Sequence, residues 1–159
     1  MKIKTIFVLF LLSSAVLLGN ELKVVSNSFD GDEKKGIAIF TGNVKMTKGS
    51  DELNATKVTI YTDSKHNPIK MIAEGDVAMF VKTEDNSTYT GKAQKVIYLP
   101  KTKEYQFYTN VHLRQLNEHK QIDGDKVILN TITGKALAQG AKKEPVIMIF
   151  HLKDQNENK

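Results

Sequence analysis

Residues 38–46 read AIFTGNVKM, residues 71–79 read MIAEGDVAM and residues 105–113 read YQFYTNVHL, and the three stretches align without gaps. Their anchors Val44, Val77 and Val111 are 33 and 34 residues apart. Taking every second residue gives five columns: Ala38/Met71/Tyr105, Phe40/Ala73/Phe107, Gly42/Gly75/Thr109, Val44/Val77/Val111 and Met46/Met79/Leu113. Four of the five are apolar, whereas Thr41, Asn43, Lys45, Glu74, Asp76, Gln106, Asn110 and His112 stand between them. A period of two is the pleat of a β-strand with one buried face. Because the apolar parity repeats in each copy, all five columns are expected to face the inside.

A second strand class follows each copy. Residues 53–60 (LNATKVTI) align with 91–98 (GKAQKVIY) and with 122–129 (IDGDKVIL). Their columns are Ala55/Ala93/Gly124, Lys57/Lys95/Lys126, Val58/Val96/Val127 and Ile60/Tyr98/Leu129. The small residue and the later valine differ in parity, so alternation breaks once within the strand. A bulge or corner there would re-aim the side chains. A partial copy carrying Val24, Val25 and Phe29 precedes the first full repeat, and another at 135–140 follows the third. Val146, Ile147, Met148, Ile149 and Phe150 form an apolar run that predicts the last strand.

The links are turn chemistry, with Gly, Asn and Asp at 30–32, 48–50, 66–68, 85–87 and 133–134. Pro68, Pro100 and Pro145 sit in or beside turns, where a missing amide hydrogen does little harm. No stretch after residue 19 has a helical period. The residues predict an all-β architecture of short antiparallel strands with internal repeats of about 33 residues, either a jelly roll or a two-sheet solenoid. Either has an unpaired strand edge at both ends.

The N-terminus reads differently. Met1 to Lys4 is basic, residues 5–18 are apolar apart from Thr5, Ser13 and Ser14, and Gly19 is small. That is the plan of a secretory signal peptide, shorter than the roughly 18 to 20 apolar residues of a membrane span. Leu17 occupies the place where a small residue is favoured. The expectation is a signal peptide at 1–19 cleaved near Gly19/Asn20, a β domain at 20–152 and a polar tail at 153–159. Retention of the segment as a short membrane anchor is the competing reading.

Loss of residues 1–19 removes Lys2 and Lys4, so 21 basic residues face 18 acidic ones and the net charge falls from +5 to +3. The charge is dispersed, with no block of five or six, which argues against a nucleic-acid partner. The chain has no cysteine, hence no disulfide framework, thiol nucleophile or lipoprotein attachment site. Its stability must come from apolar burial.

Catalysis has no foothold in this pattern. His66 falls in a turn, His112 on the outward parity, His119 in a charged loop and His151 near the end, none at metal-ligand spacing. Asp30-Gly31-Asp32 and Asp123-Gly124-Asp125 do not continue into a calcium loop. No phosphate loop, nucleophile elbow or dinucleotide glycine pattern is present. Neither a catalytic residue, a metal site nor a cofactor is expected. Asn54 and Asn86 head Asn-x-Thr/Ser sequons, and Asn86, in a predicted loop, is the better glycosylation candidate. The inward face itself admits two readings: a filled core, or a groove for an apolar ligand whose small residues and methionines leave adaptable space.

The order and spacing of these motifs resemble the OstA-like domain of periplasmic lipopolysaccharide transport proteins. The residues that carry the likeness are Gly42-Asn43-Val44, Gly75-Asp76-Val77, the AlaThrLysVal at 55–58, the GlyAspLysVal at 124–127 and the closing apolar run. Thr109 stands where a glycine is expected, and Lys142 replaces the valine of the last copy. The resemblance implies a twisted open β-jelly roll whose interior takes the acyl chains of lipid A while the sugars stay in water. It implies lipid contacts at Phe40, Val44, Met46, Val58, Ile60, Met71, Ala73, Val77, Met79, Val96, Tyr98, Phe107, Val111, Leu113, Val127 and Leu129. It also implies head-to-tail pairing through Val24, Val25 and Phe29 at one edge and residues 146–150 at the other, with the LptC periplasmic domain and the LptD N-terminal domain as partners. Two alternatives remain: an LptC-like component that keeps its N-terminal anchor, and a structural β-solenoid with a closed core.

Overall fold

The computed structural model describes residues 21–82 and 86–152. The signal peptide expected at 1–19 and the tail at 153–159 lie outside the described residues. Among the described residues ten strands follow in order: β1 (Leu22–Val25), β2 (Ser28–Asp32), β3 (Ile37–Lys48), β4 (Asp51–Thr62), β5 (Pro68–Lys82), β6 (Thr88–Leu99), β7 (Glu104–Gln115), β8 (Lys120–Asn130), β9 (Ala136–Gln139) and β10 (Ile147–Ile149). All pair antiparallel in one open sheet of order β1-β3-β4-β5-β6-β7-β8-β10, with β2 also on β3 and β9 also on β8. Six long strands thus form a plain meander in which each sequence neighbour is a spatial neighbour.

The two sequence classes are the odd and even strands of that meander, and their columns become rungs. Phe40 opposes Val58, Val58 opposes Ala73, Ala73 opposes Val96, Val96 opposes Phe107 and Phe107 opposes Val127. Five of these six residues are buried to 4% exposure or less, and Phe40 to 8%. A second rung runs Val44–Ala55, Val77–Ala93 and Val111–Gly124. Between the two rungs every long-strand pair shifts register: from 41 to 44 on β3, from 74 to 77 on β5 and from 108 to 111 on β7.

The corner is made by consecutive left-handed residues on the odd strands: Gly42 and Asn43 (φ 84° and 46°), Gly75 and Asp76 (84° and 43°), Thr109 and Asn110 (67° and 51°). Glycine adopts this region freely and Asn or Asp tolerate it. The even strands answer with the parity break seen in the sequence, Ala55 and Val58 both buried while Thr56 and Lys57 face out. Each long strand is therefore two short legs joined at a bulge.

One expectation is corrected here. The column Gly42/Gly75/Thr109 does not face the inside. Thr109 is exposed, and a Cβ on Gly42 or Gly75 would collide with the side chain of Asn27 or Thr56. Left-handed backbone turns this position away from the core while the flanking residues keep their inward direction. The last strand is also shorter than the apolar run: β10 covers Ile147–Ile149, with Val146 and Phe150 outside it. Pro145 has no amide hydrogen to give a ladder, so pairing with β8 starts beyond it.

Candidate lipid groove and strand edges

The five bulges divide the sheet into a lower leg (37–41, 57–61, 70–74, 95–99, 104–108, 126–130) and an upper leg (44–48, 51–54, 77–82, 88–93, 111–115, 120–124). Val44, Val58, Val77, Val111 and Val127 flank the corner and are 0–1% exposed. There the two legs meet and the core is closed. Away from it, between Met79 of the upper leg and Tyr98 and Tyr105 of the lower, the legs face each other across open space.

Two cavities occupy that space. A smaller one of about 160 Å³ lies between Met46, Leu53 and Met79 of the upper leg and Met71, Ala73, Val96, Tyr98 and Tyr105 of the lower. A larger one of about 820 Å³ is lined by Met79, Gly91 and Leu113 above and by Tyr98, Tyr105, Phe107 and Leu129 below. They share Met79, Val81, Tyr98 and Tyr105, so they are two sections of one groove. Its size is within the range of small-molecule sites, about 300–1,000 Å³. Gly91 keeps it open: a Cβ there would lie 3.1 Å from both Leu113 Cδ2 and Met79 Cγ and 3.4 Å from Phe107 Cε1.

The sixteen residues expected to contact lipid fall into two groups. Met46, Met71, Ala73, Met79, Val96, Tyr98, Phe107, Leu113 and Leu129 line the cavities. Phe40, Val44, Val58, Ile60, Val77, Val111 and Val127 are packed into the closed core. Period two places all of them on one face, but the position of each strand in the sheet decides which border open space: Ile60 of β4 is closed in, and Met71, opposite it on β5, lines the smaller cavity. Leu53 and Gly91 line the groove without having been singled out, although they head the second strand class with Ile122. Tyr105 had the same signal, at the head of its own column. Val81, Tyr89 and the rim residues of the turns lie beyond the aligned columns.

The groove wall is aromatic. Tyr98 and Tyr105 stack with centroids 4.4 Å apart, and Tyr105 continues to Phe107 at 6.3 Å. Burial pushes the Tyr105 phenol far above its ordinary range, with the charges of Tyr98 and Asp51 adding to it. Burial likewise raises Tyr98, opposed by its hydrogen bond to Tyr105. These hydroxyls stay neutral, as suits an apolar wall. Thr59 is the one buried polar residue among those described.

Polar chemistry lies on the outer face. His112 Nδ1 meets Asp123 Oδ1 at 2.6 Å, and Gln121 donates to the same carboxylate at 2.5 Å. Partial burial works against the Asp123 charge, but these two hydrogen bonds and the nearby His112 and Arg114 hold its carboxyl below the usual range. His66 is half-buried in the β4–β5 turn, while His112, His119 and His151 are exposed. Among the described residues no three His, Asp or Glu side chains converge in a metal-like group.

At the sheet margins, β1 pairs with the upper leg of β3 and β2 with its lower leg. β10 and β9 cover the two legs of β8 in the same manner. Val24 packs on the core, Phe29 rests on Phe40 at 5.0 Å, and Val25 is exposed. Ile147, Met148, Ile149 and Phe150 are 43–53% exposed, an apolar outer edge, and Val146 is half-buried.

Residues 23–135 match the sequence family described as LptA/(LptD N-terminal domain) LPS transport protein. This chain belongs to that family. It is a family of transport proteins and not an enzyme class. No curated protein sequence matches the chain. Among solved structures it is similar to LptH, the LptA-homologous periplasmic component of the lipopolysaccharide transport device of Pseudomonas aeruginosa. The two share 19% identity and a TM-score of 0.71, over 82% of this chain and 95% of that one. At that identity the likeness concerns the fold, which is the twisted open sheet that the resemblance implied.

Proposed function

We propose that this protein is exported to the periplasm, holds lipid A acyl chains of lipopolysaccharide between its two legs, and passes them along a bridge from inner to outer membrane. The observation that carries the reading is the groove: an apolar, aromatic-walled channel between the two legs, bordered by Met79, Tyr98, Tyr105 and Phe107. Burying one 14-carbon chain is worth on the order of 10 kcal/mol at about 0.8 kcal/mol per methylene. A lipid with several such chains needs a sheltered path through water. The bridge would form by strand addition, the Val24, Val25 and Phe29 edge of one unit against the β10 edge of the next. Such a heterologous contact builds open filaments. The LptC periplasmic domain at one end and the LptD N-terminal domain at the other complete the proposal. Export would be directed by residues 1–19 and completed by cleavage near Gly19/Asn20.

The test is site-specific photo-crosslinking in cells that make lipopolysaccharide. A photoreactive residue at Met79, Tyr98, Phe107 or Leu113 should capture lipopolysaccharide, and one at Lys45, Asp76 or His112 should not, because strand parity decides which side chains reach the groove. Equal labelling of both sets, or of neither, would refute the proposal.

A further inference from the structure

Among the described residues, three lysines and no carboxylate line the larger cavity: Lys82 at the end of β5, Lys103 in the β6–β7 turn and Lys135 just before β9. All three are exposed, and among the described residues none forms an ion pair. They stand on opposite sides of the mouth. Lys103 and Lys135 belong to the lower leg, where neighbouring turns hold them together. Thr131 donates its N–H and its hydroxyl to the Lys103 carbonyl at 3.1 and 3.0 Å, and the Asn130 N–H donates to the Lys135 carbonyl at 2.9 Å. Lys82 belongs to the upper leg, where its N–H donates to Asp51 Oδ1 at 2.9 Å. The smaller cavity lacks this pattern, since its one lysine, Lys48, is accompanied by Asp51 and Glu52.

We propose that the larger cavity selects phosphorylated acyl lipids, with chains against Met79, Tyr98, Tyr105 and Phe107 and a phosphate between Lys82 on one leg and Lys103 and Lys135 on the other. This rests on the reading above and deepens it, naming the group recognised at the mouth. A purely apolar ligand gains nothing from three cations at the entrance. A phosphate carries up to two charges and several strong acceptors, and lysine binds it as a point charge whose long stem can adjust. The apolar cavity beneath the mouth has a low dielectric, which concentrates the field of the lysines at the opening. Charges on both legs also let one phosphate draw the tips together over the chains.

The experiment compares binding to the purified protein of hexa-acylated lipid A bearing two phosphates and the same lipid A stripped of them, at low and high salt. Three exposed contacts of this type support about a tenfold preference for the phosphorylated form, about 1.4 kcal/mol. The preference should shrink as salt rises. The triple variant Lys82→Gln, Lys103→Gln and Lys135→Gln should lose it while binding the dephosphorylated lipid as before and unfolding at the same temperature. Equal binding of both lipids by the wild-type protein would overturn the phosphate assignment and leave the acyl groove standing. So would a preference that survives in the triple variant. Failure to bind either lipid would overturn the groove along with it.

Discussion

The ring of Tyr98 lies against the ring of Tyr105, centroids 4.4 Å apart and planes at 27°, in the stretch of wall that the two cavities share. The residues are directly opposed on β6 and β7. Both border the groove, where burial raises their phenols above the ordinary value of 10.0.

An alkaline loss of stability follows from that burial. A group whose pKa is higher in the folded state contributes fully below its unfolded value and loses that contribution as pH rises towards the folded one. Stability should therefore be unaffected by these tyrosines up to about pH 10 and fall above it. Denaturant midpoints measured from pH 8 to 12 should decline less steeply in the Tyr98→Phe, Tyr105→Phe double variant than in the wild type. Parallel declines would show that neither phenol is held neutral by the fold.

The corner makes a prediction of opposite sign at equivalent positions. Gly75 has φ 84°, and a Cβ on it would lie 2.6 Å from the Cβ of Thr56. Thr109 occupies the same place on β7 at φ 67° with a branched side chain. Gly75→Ala should cost about 2 kcal/mol or more, whereas Thr109→Gly should stabilise by about 1 kcal/mol as it relieves left-handed strain. Chemical denaturation of the two variants measures both. A destabilised Thr109→Gly protein would mean that the threonine side chain contributes more than the strain it causes.

Gly91 offers a way to close the groove. Enlarging it to leucine drives four carbons into the space between Met79, Leu113 and Phe107. Part of that volume is open, so overpacking should cost only about 1–3 kcal/mol. Lipid capture by a photoreactive residue at Tyr98 should drop several-fold, with the Gly91→Ala variant in between. Undiminished capture in a folded Gly91→Leu protein would place the chains elsewhere.

The outer edge of β10 is the remaining test. Ile147 and Ile149 share one parity, opposite Asp123 and Gln121 of β8. Proline at both removes two backbone donors from the same side of the strand. If those amides face a neighbour the intermolecular ladder fails, and if they face β8 the edge itself detaches. Either way the sheet from β3 to β8 keeps its core, and concentration-dependent linear oligomers should vanish in sedimentation experiments. A wild-type protein that stays monomeric up to about millimolar would end the proposal of self-assembly through this edge.

Strand identity, the antiparallel character of the strands and the apolar faces of the long strands were legible in the sequence. The pleat is local: Phe40, Val44 and Met46 must point one way whatever the remainder of the chain does, and three aligned copies reveal the period. The break between Ala55 and Val58 was legible too, since two apolar residues of unlike parity on one strand require a bend. The sequence did not say that Gly42, Gly75 and Thr109 turn outward, because alternation counts residues and not backbone handedness. Only the tertiary structure separated Val77, closed in at the corner, from Met79, bordering open space two residues on. That difference depends on how far bulges on successive strands splay the legs. The bend between the legs also sets Lys82 across the mouth from Lys103 and Lys135. Those lysines lie in turns and at strand ends with no period to mark them, and their common surroundings are a property of the bent sheet as a whole.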